Sequence, residues 1–173
     1  MIIQFCGLSG SGKTTLANHV KLLLNKKGIK TEIIDGDVYR KTLFAGLGFS
    51  KADRNENIRR LAVIAGALSA DNVVPIICAI NPYEDIRLKI AAKYENVKTV
   101  YIECSMEVLI KRDPKQLYQK ALLPNDHPEK ISNLSGVNDP FEIPSYPDLI
   151  IKTDKESIET SSQKLLQFIL AAL

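Results

Sequence analysis

The first six positions, Met1 to Cys6, are apolar apart from Gln4 and stop at Gly7. A short apolar run closed by glycine has the pattern of a buried strand. From Thr14 to Asn25 the positions Leu16, Val20 and Leu23 recur at helical spacing, and Gly28 offers a C-terminal stop. Thr31 to Ile34 reads as a second strand, ending at Asp35-Gly36-Asp37. A short helix is expected over Val38 to Phe44, closed by Gly46 and Gly48. Ser50 then caps a long helix, with Asp53 three residues on in a capping-box position. Its inward stripe is Ile58, Leu61, Ala65 and Leu68. Val73 to Ile80 is apolar on both faces, as an inner parallel strand should be, with Pro75 placed near its start. Asn81-Pro82 breaks the run. Tyr83 to Tyr94 reads as a helix, Val97 to Cys104 as a fourth strand and Met106 to Lys111 as a short helix.

The rhythm changes at Arg112. From there to Pro147 the chain carries most of its eight prolines and little periodicity. That segment is either a long lid or a set of short helices and turns. Leu149 to Lys152 is a last strand, and Lys155 to Leu173 a closing helix. Strands alternating with helices predict an α/β fold: a doubly wound, parallel, five-stranded sheet with helices on both faces. The expectation is one domain over residues 1–173, with a lid near 112–147.

Composition narrows the class without naming it. The chain has 173 residues, 45% hydrophobic and 25% charged, which suits a globular protein able to bury its own core. A net charge of +3 favours anionic ligands but falls far short of a nucleic-acid-binding signature. Cys6, Cys78 and Cys104 sit in apolar runs with no metal spacing, and are read as buried free thiols of a reducing cytoplasm. No apolar run reaches the roughly 18 residues of a membrane span. No basic segment precedes the first apolar run, so no secretory leader is expected.

The chemistry begins at "GLSGSGKT". Gly7, Gly12, Lys13 and Thr14 fill the phosphate-loop spacing G-x-x-x-x-G-K-[ST], between a predicted strand and a predicted helix. Backbone N–H groups must turn inward around a phosphate, which glycine permits, and the helix N-terminus adds partial positive charge. Lys13 is placed to reach the β- and γ-phosphates of ATP or GTP, and Thr14 to ligate Mg²⁺. No N-K-x-D motif of a regulatory GTPase follows. The strand at Val73 to Ile80 ends in Asn81-Pro82 rather than the acidic residues of a motor or transport ATPase. A small kinase remains, which needs an acceptor pocket, a positioning carboxylate and a lid that excludes water. Asp35 and Asp37 stand at the strand end where ligands bind, although a surface turn fits the same residues. Arg40, Arg54, Arg59 and Arg60 divide between grip on an anionic acceptor and pairing with Asp53 and Glu56. Lys111 to Lys115, "KRDPK", opens the lid with cations suited to a transferring phosphoryl group.

These blocks come in a telling order. "GLSGSGKTT", "DGD", Arg40, "LGFS" (Leu47 to Ser50), "DRNENIRR" (Asp53 to Arg60), "NPYEDIR" (Asn81 to Arg87), "RDPKQLYQKA" (Arg112 to Ala121) and "SGVNDPFEIP" (Ser135 to Pro144) resemble the adenylylsulfate (APS) kinase family over nearly the whole chain. The phosphate loop is generic; the LGFS-x-x-DR-x-ENIRR block is specific. The resemblance implies Mg²⁺-dependent transfer of the ATP γ-phosphoryl group to the 3′-hydroxyl of adenosine 5′-phosphosulfate. It places Gly7, Leu8, Ser9, Gly10, Ser11, Gly12, Lys13, Thr14 and Thr15 around the ATP phosphates, with Arg112 on the ATP side. Asp37 would position or deprotonate the 3′-hydroxyl, and Asp35 with Thr14 would serve Mg²⁺. Lys13, Asp35 and Asp37 are the implied catalytic set. Arg40, Arg54 and Asn57 would hold the acceptor's phosphosulfate and sugar. Phe49 would stack on its base, Ile80 and Asn81 line its pocket, and Lys115 bind it from the lid. Relatives are often dimers, so a homodimer is implied as well.

The chain also departs from the family pattern. Val38 replaces the asparagine of DGDN. Asn81 and Glu84 stand where S-P-Y-R has serine and arginine, and Gln116 replaces a glycine after Lys115. Leu134-Ser135-Gly136 replaces F-T-G, whose phenylalanine forms the second face of the adenine sandwich; Leu134 and Ser135 are the acceptor-binding residues the resemblance implies there, with Leu134 packing on a base face less specifically. These changes are read as gathering at the acceptor pocket, which raises an alternative acceptor, another 5′-activated nucleotide such as cytidine diphosphoramidate. A nucleotide-binding regulatory module without kinase activity is a third reading, opposed by the intact Lys13, Asp35, Asp37 and Arg54.

Overall fold

A computed structural model describes all of residues 1–173. Ile2–Cys6 forms β1, Lys13–Lys26 α1, Thr31–Asp35 β2 and Gly36–Lys41 α2. Lys51–Ala70 forms α3, Val74–Cys78 β3, Glu84–Lys93 α4 and Val97–Glu103 β4. Met106–Arg112 is α5, Leu117–Ala121 α6, Leu149–Lys152 β5 and Ile158–Ala172 α7. The five strands make one sheet in the order β2-β3-β1-β4-β5, every pairing parallel. β1 is central, and the chain crosses from one side of it to the other between β3 and β4. Ligands of such sheets gather at that switch, beyond the carboxyl ends of the strands.

Strand alternation feeds two cores. Ile3 and Phe5 of β1, Ile76 and Cys78 of β3, and Val100 and Ile102 of β4 pack against Leu16, Val20 and Leu24 of α1 and Leu165, Leu166 and Ile169 of α7. Ile2, Ile34 and Ile77 face the other way, onto Ile58, Leu61 and Ala65 of α3 and Ile86 and Ile90 of α4. Each such fully buried side chain stabilises the fold by roughly 1.5–3 kcal/mol. The inward stripe of α1 runs through Leu24 rather than Leu23, which is only partly buried, because Leu16, Val20 and Leu24 keep the i, i+4, i+8 spacing. Pro75 is the second residue of β3 and is tolerated at the start of this inner strand.

The helix ends follow their sequence signals. Ser50 Oγ accepts the Asp53 N–H at 3.1 Å, so α3 starts where a capping residue placed it. Gly28 takes a positive φ just past α1. α2 differs from the expected Val38–Phe44 helix. It begins earlier because Asp35 caps it, Oδ1 accepting from the N–H groups of Asp37 and Val38. Between α5 and β5 the chain forms α6 and turns, with an isolated bridge between Ser135 and Asp139. Cys6 and Cys78 are buried free thiols, as expected, while Cys104 is half-buried. No helix is long and apolar enough to cross a membrane.

Candidate active site

The loop from Gly7 to Gly12 joins β1 to α1 at the carboxyl edge of the sheet. Two glycines there are required for different reasons. A Cβ at Gly7 would lie 2.5 Å from the Ile102 carbonyl oxygen, so the loop could not approach β4. Gly12, the residue before α1, sits at φ 91, where a side chain would be strained. The Lys13 ammonium lies across the loop, donating to the carbonyl oxygens of Gly7 at 2.8 Å and Leu8 at 2.7 Å. Burial penalises its charged form and lowers its pKa to about 8. Two distant residues brace the loop. Tyr118 of α6 donates its hydroxyl to the Ser9 carbonyl at 2.8 Å, and Thr153, just after β5, donates to the Ser11 carbonyl at 2.8 Å.

Beside the loop stands the carboxylate pair of the β2–α2 junction. Asp35 uses one oxygen to cap α2, while Oδ2 accepts from Thr14 Oγ1 at 3.0 Å. A carboxylate and a hydroxyl so placed at the mouth of a phosphate loop fit Mg²⁺, which takes a few protein oxygens and completes its shell with phosphate and water. Asp37, in the first turn of α2, is ion-paired with Lys115 of the lid. Burial raises the Asp37 pKa, but the hydrogen bond and charge of Lys115, with Lys13 and Lys41 behind, outweigh it and hold the carboxyl below its usual range.

Two clefts flank this centre. One, of about 330 Å³, is lined by Gly10, Gly12, Thr15, Arg112, Thr153, Glu156, Ile158 and Ser161. Arg112 donates to the Thr153 carbonyl at 2.7 Å, so it walls that cleft. The second, of about 60 Å³, gathers Asp37, Arg40, Phe49, Arg54, Asn57, Ile80 and Asn81 with Gly36, Ile58, Ala79 and Pro82. The half-exposed Phe49 ring has the Arg40 guanidinium 5.0 Å from its centre and that of Arg54 5.4 Å away. Arg54 is buried, donates to the carbonyls of Phe49 at 2.9 Å and Asn133 at 2.5 Å, and pairs with Asp139 at 3.1 Å. Asn57 and Asn81 each bury a side-chain oxygen that has no partner. An orphaned acceptor costs roughly 1–3 kcal/mol unless a ligand meets it.

Most of the residues expected from sequence therefore converge, and a few do not. Leu134 is 5% exposed and packs with Leu109, Tyr118 and Ala121 at the base of the lid, not along the acceptor-side cleft. Its neighbour Ser135 is buried with its hydroxyl unpartnered and also off that lining. Glu84 is not beside the cleft, because Arg87 and the Ser145 N–H hold its carboxylate. Arg59 and Arg60 both bond Glu56 on the surface of α3, the pairing role left open for them. Thr153, Glu156 and Tyr118 were missed. Thr153 and Glu156 lie far along the chain from the loop and in no motif, and Tyr118 stands in RDPKQLYQKA without a role that the motif announces.

The chain matches the family model for adenylylsulphate kinase over residues 1–152. It is 40% identical over 165 residues to an adenylyl-sulfate kinase of Deinococcus deserti, covering 95% of this chain and 88% of that protein. It is 40% identical over 173 residues to one of Chloroflexus aurantiacus, covering 100% and 88%. Among solved structures, an APS kinase of Mycobacterium tuberculosis in complex with AMPPNP and APS superposes with a TM-score of 0.88 at 35% identity, over 97% of this chain and 96% of that one.

Proposed function

Since the chain belongs to the adenylylsulphate kinase family, we propose that it transfers the γ-phosphoryl group of ATP to the 3′-hydroxyl of adenosine 5′-phosphosulfate, through the residues of the two clefts. One observation carries the site assignment: Asp37, Arg40, Phe49, Arg54 and Asn57 line one cleft that adjoins the phosphate loop. The larger cleft, walled by Arg112 and Thr153, takes the ATP nucleoside. Backbone N–H groups of Ser9 to Thr14 hold the phosphates at the start of α1. Lys13 leaves the carbonyls of Gly7 and Leu8 for the γ-phosphate and neutralises charge there as the phosphoryl group moves. Thr14 and Asp35 would hold Mg²⁺, which would offset the charge of the phosphates.

On the acceptor side, Arg40 and Arg54 supply positive charge and Phe49 a face for the base. Asp37 accepts a hydrogen bond from the 3′-hydroxyl and takes its proton as the oxygen bonds to the γ-phosphorus and the bond to the β-phosphate oxygen breaks. A cleft of about 60 Å³ is too small for a nucleotide, which needs on the order of 300 Å³ or more. Acceptor entry therefore requires Lys115 to leave Asp37 and the lid to lift. Lys115 then binds the incoming anion.

The test is a nucleotide panel. The protein is incubated with ATP, Mg²⁺ and either APS or CDP derivatives, ADP release is followed, and the product is identified by mass. APS supports ADP release with gain of one phosphate on the ribose. Silence with APS beside turnover of a cytidine compound would overturn the acceptor assignment. The family resemblance also implies a homodimer, which sedimentation checks.

A further inference from the structure

A buried ionic node lies under the acceptor-side cleft, outside the phosphate loop and the carboxylate pair. Arg87, in α4, is 2% exposed. Its Nη1 donates to the Asn81 carbonyl at 2.6 Å and its Nη2 to the Glu142 carbonyl at 2.6 Å. Nε and Nη2 both donate to Glu84 Oε2, at 2.9 and 2.5 Å. The other Glu84 oxygen accepts the Ser145 N–H at 3.0 Å. The Glu84 N–H donates to the Glu142 carboxylate at 2.6 Å, and the Glu142 N–H to the Pro82 carbonyl at 2.8 Å. One Arg–Glu pair thus touches the floor of the cleft and also residues 142–145, the arm by which the lid returns to β5.

A buried ion pair is not a strong source of stability, because desolvation offsets its attraction, so this node calls for another reason. Asn81 supplies it. That residue sits at φ 49, in the left-handed region. Its amide nitrogen donates to Gln4 Oε1 at 3.3 Å, and Gln4 in turn donates to Thr99 at 2.9 Å and to the Arg87 carbonyl at 3.2 Å. With its carbonyl on Arg87 and its side-chain amide nitrogen on Gln4, Asn81 has one side-chain polar atom left. That atom, Oδ1, is buried without a partner in a residue lining the cleft. Arg87 itself does not line the cleft.

We propose that Arg87 and Glu84 are a positioning pair for acceptor binding: they fix Asn81 so that its Oδ1 receives an N–H or O–H of the acceptor nucleotide, and they tie the lid's return arm to the same floor. The inference rests on the acceptor reading given above. Burial works against the Glu84 carboxylate, but the Ser145 N–H and Arg87 outweigh it and hold its pKa below the usual range, so the pair stays ionised at neutral pH.

The experiment compares Arg87→Lys, Glu84→Gln, Asn81→Ser and the double variant Arg87→Lys/Asn81→Ser. Arg87→Lys raises the KM for APS by about tenfold or more, the loss expected of a buried charged hydrogen bond, with the KM for ATP within about twofold. In the Asn81→Ser background the same change adds less than about threefold, because its route is gone. Equal rises in both KM values, an unchanged KM for APS, or full multiplicativity in the double variant would each overturn the positioning role. Glu84→Gln keeps the bond from Nη1 to Asn81 and serves if Arg87→Lys does not fold. It speeds amide exchange at Ser145 and Glu142 by at least about tenfold and leaves β1 unchanged. Unaltered exchange there overturns the tie to the arm. If the unmutated protein does not turn over APS, the acceptor reading fails by itself, and the exchange rates still decide whether the node holds the arm.

Discussion

Truncating Leu134 to alanine separates a packing role from a base-stacking one. The side chain is 5% exposed and packs with Leu109, Tyr118 and Ala121, with Leu8 of the phosphate loop and Val137 at the edge. Alanine removes about three methylene equivalents, or roughly 2.4 kcal/mol of transfer free energy, and the residual cavity brings the loss to about 3 kcal/mol. In a chain of this length each kcal/mol lowers Tm by roughly 2–4 °C, so the variant should melt about 6–12 °C below the parent. The same cluster seats Tyr118, whose hydroxyl holds Ser9, so the KM for ATP should rise as the loop loosens. Leu134→Phe restores the family's aromatic, yet it overpacks the cluster and should cost about 1–3 kcal/mol rather than tighten the acceptor. Thermal melts and initial rates, with each substrate varied in turn, read all of this. A Leu134→Ala variant that melts within about 1 °C of the parent and raises only the acceptor KM by about tenfold would refute the packing argument and return Leu134 to the base.

Four further predictions concern the reacting centre. Asp37→Ala should lower kcat by about 10²–10⁴ while ATP-analogue affinity, measured by calorimetry, stays within about threefold; undiminished turnover removes Asp37 from the mechanism. Lys13 has a folded pKa of about 8 against the ordinary lysine value of 10.5, so the unfolded chain holds more protons between these values and stability, read from denaturant melts, should rise with pH across that window. Over the same window the free enzyme loses the ammonium that ATP requires, and kcat/KM for ATP should fall above pH about 8; a profile flat to pH about 9.5 contradicts this. Chelation with EDTA should abolish turnover, and Thr14→Ala should raise the Mg²⁺ concentration needed for half-maximal rate by about tenfold, a shift of roughly 1.4 kcal/mol; an unchanged requirement removes Thr14 from the metal site.

Sequence carried the fold well because local rules and tertiary packing agree there. Inner strands read as apolar runs since both faces are covered, and β1 and β3 are buried at every position. Ser50 and Gly28 mark their helix ends through chemistry that needs no distant partner. The start of α2 was less legible because one carboxylate, Asp35, caps that helix and also meets Thr14. The arginines show the limit of periodicity. Arg54, Arg59 and Arg60 look alike in sequence, yet the turn of α3 sends Arg54 into the cleft beside Phe49 and leaves Arg59 and Arg60 on Glu56. The donor-side wall was legible only in part: Gly10, Gly12, Thr15 and Arg112 stand in motifs, whereas Thr153 and Glu156 come to that cleft only through the pairing of β5 with β4.

The departures from the family pattern looked like one cluster in sequence, and that clustering was the ground for doubting the acceptor. In space they disperse. Val38 is an exposed residue of α2, Glu84 is bonded to Arg87 and the Ser145 N–H, and Leu134 is in the small core under the lid. Of these changes only Asn81 lines the acceptor-side cleft. The residues that would grip a phosphosulfate and a ribose, Arg40, Arg54, Asn57 and Asp37, match the family and sit together there. On the proposed reading the base would lie against Phe49, with Ile80 and Asn81 lining its pocket, and a change of acceptor base would have to be written there. Phe49 and Ile80 are unaltered, and Asn81 adds a buried oxygen that a base amine or a ribose hydroxyl can satisfy. The weight of the sequence differences therefore falls on how the lid and its return arm are braced, and much less on which nucleotide they close over.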